Sequence, residues 1–401
     1  MTPAPDTSRL SWRFAFAGLL AVGMAAATLM PVGLGILAPF MRDDLGISRA
    51  QIGGLIATAT LGAAVISPLT GRVTDSLGGR RALALMFALA AIAFAGVALA
   101  PSYWWMLLPV AIAALAQAGG NPVTNKLIAA HTPAGRRGVV TGIKQSGVQA
   151  GVFVSGLVMP VLAEAWGWRT AIGVVVAVPA VGLLVTYLSL PSDHRTTAEH
   201  EAIAHTRRDR LPSGITFLAV YGGLMGFGAA YSFLIPLFAE EALGMTARAG
   251  GAAAGLIGFT ALFARIAWSR YADVRRRHDF TLAVLAVGSV TAVLVFMAAD
   301  AGPAWLLWIG AVIAGVSSSS WNSVGMLSVI DRAGEERSGR ASGVVMLGFL
   351  TGLGVAPTLF GWMVDRTDSY TPMWLTSMGA LGLAAMVSIW WLRSGRSSGT
   401  R

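Results

Sequence analysis

Residues 139–151 read VVTGIKQSGVQAG, which puts Lys144 and Gln145 in the middle of an apolar run. Lysine occurs only here and at Lys126, against 27 arginines. An ionisable side chain at membrane depth costs about a few kcal/mol or more, so each one is a functional candidate. At helical spacing Lys144 shares a face with Gly147, Val148, Gly151 and Ser155. Gly147, Gly151 and Ser155 make a seam of small residues, the kind that lets helices pack closely. Lys144 is therefore expected to point into protein or a cavity, not into lipid. A second cation, Arg265, shares a mostly small face with Ala254, Gly258, Ala261, Trp268 and Ala272, and is also expected to look inward. Fixed positive groups in a cavity lower the energy of an anion moved out of water. Arginine offers two parallel hydrogen bonds to a carboxylate or oxyanion, and lysine a point charge. Gln117, Asn121, Thr124 and Asn125 form a polar stripe on one helical face, and Ser318 and Asn322 form another with Trp321 beside it. Tyr221 and Ser232 share a third face, with Tyr231 next to it. The chemistry on offer is the binding of a small anion. The plainer alternatives are a lysine that snorkels to the interface, an arginine that serves packing or topology, and amides that glue helices together.

The elements that must position these groups are apolar helices. Mean hydropathy is +0.67 and 12% of residues are charged, about half the share in a soluble domain. Runs long enough to cross a bilayer recur along the chain at roughly 20 residues each. No alternation of the membrane β-barrel kind is present. The fold class is all-α and membrane-integral, because only helices satisfy their own backbone in lipid. The predicted spans are 14–40, 51–70, 82–100, 104–130, 139–163, 170–190, 213–239, 250–269, 280–299, 304–330, 341–364 and 371–392. The first run is preceded by Arg9 and Arg13 like a signal peptide, but it is read as a retained helix.

Twelve spans put both termini on one side. That side collects 21 arginines, among them Arg72, Arg136, Arg137, Arg270, Arg332 and Arg340, while the other has Arg42, Arg49, Arg169, Arg248 and Arg366. The arginine-rich side is expected to be cytoplasmic, with both termini there. Lys126, near the cytoplasmic end of its span and about 100–140° around the helix from the asparagines, is expected to snorkel. The net charge of +10 does not mark a nucleic-acid partner, because the arginines sit in short loops between spans. Residues 191–212 divide the chain into bundles 1–190 and 213–392 and read as a solvated cytoplasmic linker, with 393–401 a short tail.

The two halves repeat. LGIS at 45–48 and LGMT at 243–246 are 198 residues apart, as are Asp75 and Asp273. Asn121 and Asn322, Arg136 and Arg337, Gly138 and Gly339, and Gly142 and Gly343 are 201 apart. Duplicated halves facing each other enclose a cavity at the bilayer midplane, and alternating access rocks one half against the other.

The loop between spans 2 and 3 reads GRVTDSLGGRR, with Gly71, Asp75, Gly78, Arg80 and Arg81 in the pattern Gly-x3-Asp-x2-Gly-x-Arg-Arg. This closely resembles the signature loop of the major facilitator superfamily (MFS), and the resemblance covers the whole chain. It implies two pseudo-symmetric six-helix bundles and a secondary transporter. It implies that Asp75 and the arginines latch the halves and stabilise the outward-facing state, with Asp273 in a second copy, SRYADVRRRHD, that lacks the glycines. It also implies a cavity lined by spans 1, 4, 7 and 10, and spans 5 and 8 adjacent across the halves. Lys144 and Arg265 would then approach at similar depth and repel unless an anion sits between them. Arg265 resembles the span-8 arginine of monocarboxylate and nitrate branches.

No Asp or Glu falls in the middle of a span. Asp43, Asp44, Glu164, Glu240, Glu241 and Asp300 lie near the outer ends. That weakens a cationic-drug exporter, and GVQAGVFVSG lacks the Gly-x3-Gly-Pro motif common in such exporters. No Gly-x4-Gly-Lys-Ser/Thr loop or catalytic group set is present, so neither an ATP-driven pump nor an enzyme is expected, and no cofactor or metal. The sequence points to a monomeric, multi-pass transporter of a small organic or inorganic anion in the cytoplasmic membrane. Protons are a candidate coupling ion without an assignable carrier, and uniport or anion exchange fits equally well. The alternative is proton-coupled efflux of drugs or other hydrophobic compounds.

Overall fold

The computed structural model describes residues 10–133, 136–191 and 212–394, apart from the side chains of 10–13, 138 and 334–339. Most of the 191–212 linker and of the 393–401 tail lies outside the described residues. The helices are α1 (Leu10–Ile36), α2 (Ala38–Leu45), α3 (Arg49–Leu77), α4 (Gly79–Leu99), α5 (Tyr103–His131), α6 (Arg137–Trp166), α7 (Trp168–Val175) and α8 (Ala177–Ser189). The second half holds α9 (Ser213–Ala229), α10 (Ile235–Glu241), α11 (Ala247–Arg275), α12 (His278–Ala301), α13 (Leu306–Val316), α14 (Trp321–Thr367) and α15 (Thr371–Arg393). Among the described residues, eleven helical stretches are long and apolar enough to cross a bilayer.

The twelfth crossing is the predicted span 304–330, which is not one helix. It breaks at Ser317–Ser320, between α13 and α14. Serines line the break: Ser317 donates to the Ile313 carbonyl (2.5 Å), Ser318 to Ala314 (2.9 Å) and Ser320 to Gly315 (2.7 Å). Such back-bonding competes with the helical ladder. α14 in turn holds two crossings, because it doubles back on itself. Asn322 Nδ2 lies 3.6 Å from Met346 Sδ, where a straight helix would separate them by about 36 Å.

Three other predicted spans are also interrupted. Span 14–40 breaks at Leu37 before Pro39, and span 213–239 breaks through the 3-10 turn Ala230–Phe233 before Pro236. These two breaks occupy symmetry-related crossings, and a proline suits the first turn of the helix that follows. Span 170–190 breaks at Val176.

The repeat seen in the sequence has a local structural cause. In LGIS and LGMT, Gly46 and Gly244 take positive φ (61° and 62°), a conformation glycine adopts without steric cost. Ser48 and Thr246 then cap α3 and α11, accepting from the amides of Gln51 and Ala249.

The halves meet along two seams. In one, Gly156 of α6 lies against Gly251 and Gly255 of α11, Gly258 against Gln149 and Val152, and the Phe153 and Phe259 rings are 5.0 Å apart. In the other, α3 meets α14 through Gly53 on Pro357 and Gly361 on Arg49. At the arginine-poor end an ion network joins the halves. Glu241 of α10 pairs with Arg42 and with Arg49 (2.8 Å), and accepts from the Tyr370 hydroxyl (2.5 Å). Burial pushes the Tyr370 phenol up. Asp365 of α14 accepts from the backbone amides of Arg49 (3.1 Å) and Ala50 (2.8 Å). A carboxylate of one half thus sits on the N-terminus of a helix of the other, where the helix dipole favours negative charge. Arg248 also pairs with Glu164 across the α6–α11 seam. Toward the arginine-rich end the α3–α14 seam opens: Leu61 of α3 still meets Gly354, and Val65, one turn further, is 76% exposed.

Losing charge-assisted hydrogen bonds of this kind costs about 1.5–3 kcal/mol each, so Asp365→Asn should loosen the closed end. Phe233 packs beside Gly35 of the other half there, and the chain has no native cysteine. Labelling of Phe233→Cys by an impermeant maleimide should be several-fold faster in the Asp365→Asn background. Equal rates in both backgrounds would mean the carboxylate does not hold this end shut.

Candidate functional site

Lys144 lies on α6 about 10 Å along the axis from the helix start, and it is 1% exposed. Its burial follows from the small-residue seam: a side chain at Gly147 would overlap the Ala21 backbone, so α6 sits directly on α1. The Lys144 ammonium reaches α5, donating to Asn125 Oδ1 (2.6 Å) and Asn121 Oδ1 (3.2 Å). Gln145 Nε2 also donates to Asn121 Oδ1 (3.2 Å). The structure therefore brings Lys144, Gln145, Asn121 and Asn125 into one cluster. Asn125 is its exposed member, and Asn121 and Gln145 are half-buried. Two bonds use two of the three ammonium protons. The acceptors are neutral, and Lys144 forms no ion pair among the described residues.

Arg265 of α11 is half-buried, and its Nε donates to the Ser319 carbonyl (2.9 Å). That carbonyl lies in the break between α13 and α14, where the ladder no longer uses it. Ser323 donates back to the Arg265 carbonyl (3.4 Å). The α6–α11 register, read from Gly156 against Gly251 and Gly255 and from Gln149 against Gly258, places Lys144 level with Arg265 when it is continued. The two cations come from opposite halves and do not touch each other. Each is held by neutral oxygens of its own half.

Gln117 lies one turn from Asn121 on α5, and its Oε1 is buried without a hydrogen-bond partner. Asn322 repeats the place of Asn121, but its neighbour is Met346 where Asn121 has Gln145. Both pairs are 201 residues apart, and so are Lys144 and the buried Val345. The second half thus keeps the asparagine and replaces the lysine and glutamine with apolar residues. Trp321 is buried edge-on against Tyr221 (5.6 Å) and Phe349 (5.3 Å). Tyr231 is buried among Phe296 and Trp374 and shares a hydrogen bond with Ser318 (3.2 Å). These rings belong to the core of the second bundle and lie apart from the Lys144 cluster. Tyr221 donates to the Leu282 carbonyl (2.8 Å).

The loop residues are arranged within one half. Asp75 pairs with Lys126 (2.9 Å), so Lys126 does not simply snorkel to the interface. Arg80 donates to the Tyr187 carbonyl (2.8 Å) and lies over its ring. Gly78 turns the chain from α3 to α4 at φ 85°. Gly71 lies on α3 with open space around it, and Arg81 and Asp273 are exposed. Sequence reasoning missed the Ser319 carbonyl, the Lys126–Asp75 pair and the network around Glu241 and Asp365. The last had a signal, since acidic and basic residues both cluster at the outer ends of spans.

The geometry has counterparts among known proteins. The family model described as Major Facilitator Superfamily matches residues 15–357. The chain is 24% identical to a probable sulfoacetate transporter of Cupriavidus necator, over 95% of this chain and 94% of that one. It is 26% identical to a multi-drug resistance efflux pump of Streptococcus pneumoniae over 49% of this chain and 48% of the pump. In fold it is similar to a bacterial homologue of the human lysosomal transporter Spinster, in an inward-facing and occupied conformation. That likeness has a TM-score of 0.79 and 15% identity, and covers 97% of this chain and 98% of that one. With twelve crossings in two facing bundles and a family match over most of its length, the chain belongs to the Major Facilitator Superfamily.

Proposed function

We propose that this transporter moves a small anion, and that Lys144 and Arg265 supply the charge that holds it. The observation that carries this reading is the buried Lys144 ammonium, bonded among the described residues only to the neutral oxygens of Asn121 and Asn125 and level with a second cation. A buried charge without a counter-ion is costly, and an anion arriving between Lys144 and Arg265 removes that cost. Gln145, Asn121, Asn125 and Asn322 supply neutral hydrogen bonds around it, and Gln117 has a buried oxygen still to satisfy. Trp321 and Tyr231 act from behind, as the packed core on which the second half of the site rests.

The arginine-rich end is taken as cytoplasmic, with both termini there. The open end is then the inner one. The Asp75 loop, turned onto Lys126 in this state, is free to latch the halves when the inner end closes. The sulfoacetate named in the Cupriavidus relative is an anion of the class proposed. The efflux reading has its own support in the partial likeness to the pneumococcal pump and in the apolar wall around Trp321, Phe349 and Met346.

The test is uptake of labelled sulfoacetate, lactate and nitrate into proteoliposomes. Lys144→Ala and Arg265→Ala should each reduce uptake of the transported anion at least about tenfold, the effect of losing one charge-assisted contact of 1.4 kcal/mol or more. Both variants should keep the monodisperse elution of the parent. Extrusion of a lipophilic dye, unaffected by either substitution and with no anion moved, would replace this reading with efflux. Arg265→Lys should restore only part of the loss, since it keeps the charge but not the planar fork. Full recovery would show that charge alone matters at this position.

A further inference from the structure

One corner of the first bundle holds a cavity apart from the Lys144 cluster. It has a volume of about 270 Å³ and lies at the arginine-rich end, where α1, α5 and α6 converge. Phe14 and Ala17 of α1 and Val139 and Ile143 of α6 supply its apolar wall, with His131 at the end of α5 and Arg136 just before α6. No carboxylate lines it among the described residues. Three membrane spans have their boundary residues in this wall. Phe14 and Val139 begin two of them, and His131 ends the third. The cavity therefore sits where the acyl region gives way to headgroups, in the leaflet on the arginine-rich side. Phe14 and Val139 are 64% and 67% exposed, so it is reached from outside past apolar side chains.

The polar groups around it differ in their commitments. His131 Nδ1 donates to the Leu127 carbonyl (3.1 Å), and its ring lies 5.7 Å from that of Phe16. Arg137 donates to the carbonyls of Thr132 and Ala129. Arg136 is exposed, makes no side-chain bond as the cap residue of α6, and forms no ion pair among the described residues.

The repeat offers a comparison. Phe217, Arg332 and Trp391 stand 201 residues after Phe16, His131 and Leu190. In the second half the Arg332 guanidinium lies over the Phe217 and Trp391 rings (5.7 and 5.4 Å) and pairs with Asp279. Asp279 stands 198 residues after Arg81, the spacing of Asp75 and Asp273. The second half thus fills its corner with large side chains and answers the charge with its own carboxylate. The first half has a histidine, a leucine and an arginine at the corresponding positions. Its corner keeps a cavity and a positive rim.

We propose that this corner binds one anionic phospholipid of the leaflet on the arginine-rich side, with part of an acyl chain in the cavity and the phosphate on Arg136. Basic side chains at this level attract anionic headgroups, and methylene groups gain by leaving water for an apolar wall. A small inorganic anion would leave that wall unused. A zwitterionic lipid brings its own cation to the phosphate and gains less from Arg136. The site stands whatever the transporter carries. The bound lipid ties the end of α5 to the starts of α1 and α6, the helices that bear Asn125 and Lys144.

The test titrates the purified full chain in detergent with phosphatidylglycerol, or with phosphatidylcholine of the same chains, and counts bound lipids by native mass spectrometry. The first phosphatidylglycerol should bind at least about fivefold more tightly than the first phosphatidylcholine, and Arg136→Gln should remove that preference. Arg136→Lys should keep most of it. Val139→Trp brings a large ring to the cavity from an exposed position and should weaken the first site for both lipids several-fold. All three variants should melt like the parent. Equal affinity for the two lipids in the parent, or a preference that survives Arg136→Gln, overturns the assignment. So does displacement of phosphatidylglycerol by millimolar inorganic phosphate, which would make this an anion site with no use for the chain. Binding that appears only after residues 2–9 are removed would mean that the protein's own N-terminus covers the cavity, and it overturns the lipid site as well.

Discussion

A charge inside a bilayer has to be answered, and the arrangement of this molecule depends on how its two intramembrane cations are answered. Neither Lys144 nor Arg265 has a carboxylate partner among the described residues. Each is held by neutral oxygens, the side-chain amides of Asn121 and Asn125 for one and the Ser319 carbonyl for the other. Neutral acceptors satisfy the hydrogens but leave the charge uncompensated. The remaining architecture follows from supporting that arrangement. Gly147 lets α6 lie on α1 closely enough to bury Lys144, and the serine break after α13 frees the carbonyl that orients Arg265.

The internal repeat shows how a symmetric scaffold acquires an asymmetric site. Gly46 with Ser48 and Gly244 with Thr246 repeat the same turn and cap, and Asn121 and Asn322 repeat the same polar position. Lys144 and Gln145 correspond to Val345 and Met346. The two halves therefore share a frame and differ at its contents. The opposite end is secured differently, by carboxylates facing arginines and a helix terminus across the halves. There the charges are compensated in place, so that end is shut in this state. Hydrogen bonds from Arg169 and Trp168 likewise hold the Asp44 carboxyl below its usual range at this end.

Most of this was legible in residue types and spacing. Twelve apolar runs and their arginine bias are one-dimensional signals, and helical periodicity alone put Gln117, Asn121 and Asn125 on one face and turned Lys144 toward protein. The breaks were not legible. Each interrupted span keeps an unbroken hydropathy signal, because a few residues of serine or a proline early in a turn barely change composition. Pairings between distant residues were equally hidden. Lys126 read as a snorkelling residue because its partner, Asp75, is 51 positions away. Tyr231 read as a cavity candidate because it adjoins the face of Tyr221 and Ser232, but tertiary packing puts it among Phe296 and Trp374. Asp365 is near a helix end, and nothing in its neighbourhood reveals that it caps a helix of the other half.

The central claim is that an anion occupies the gap between Lys144 and Arg265. The measurement that tests it most directly is a structure determined with sulfoacetate bound. The account predicts density for the anion within hydrogen-bond reach of Lys144 Nζ and the Arg265 guanidinium, with Asn125 turned aside to admit it. Density lodged instead against Trp321, Phe349 and Met346, with both cations still bonded as they are here, would contradict it.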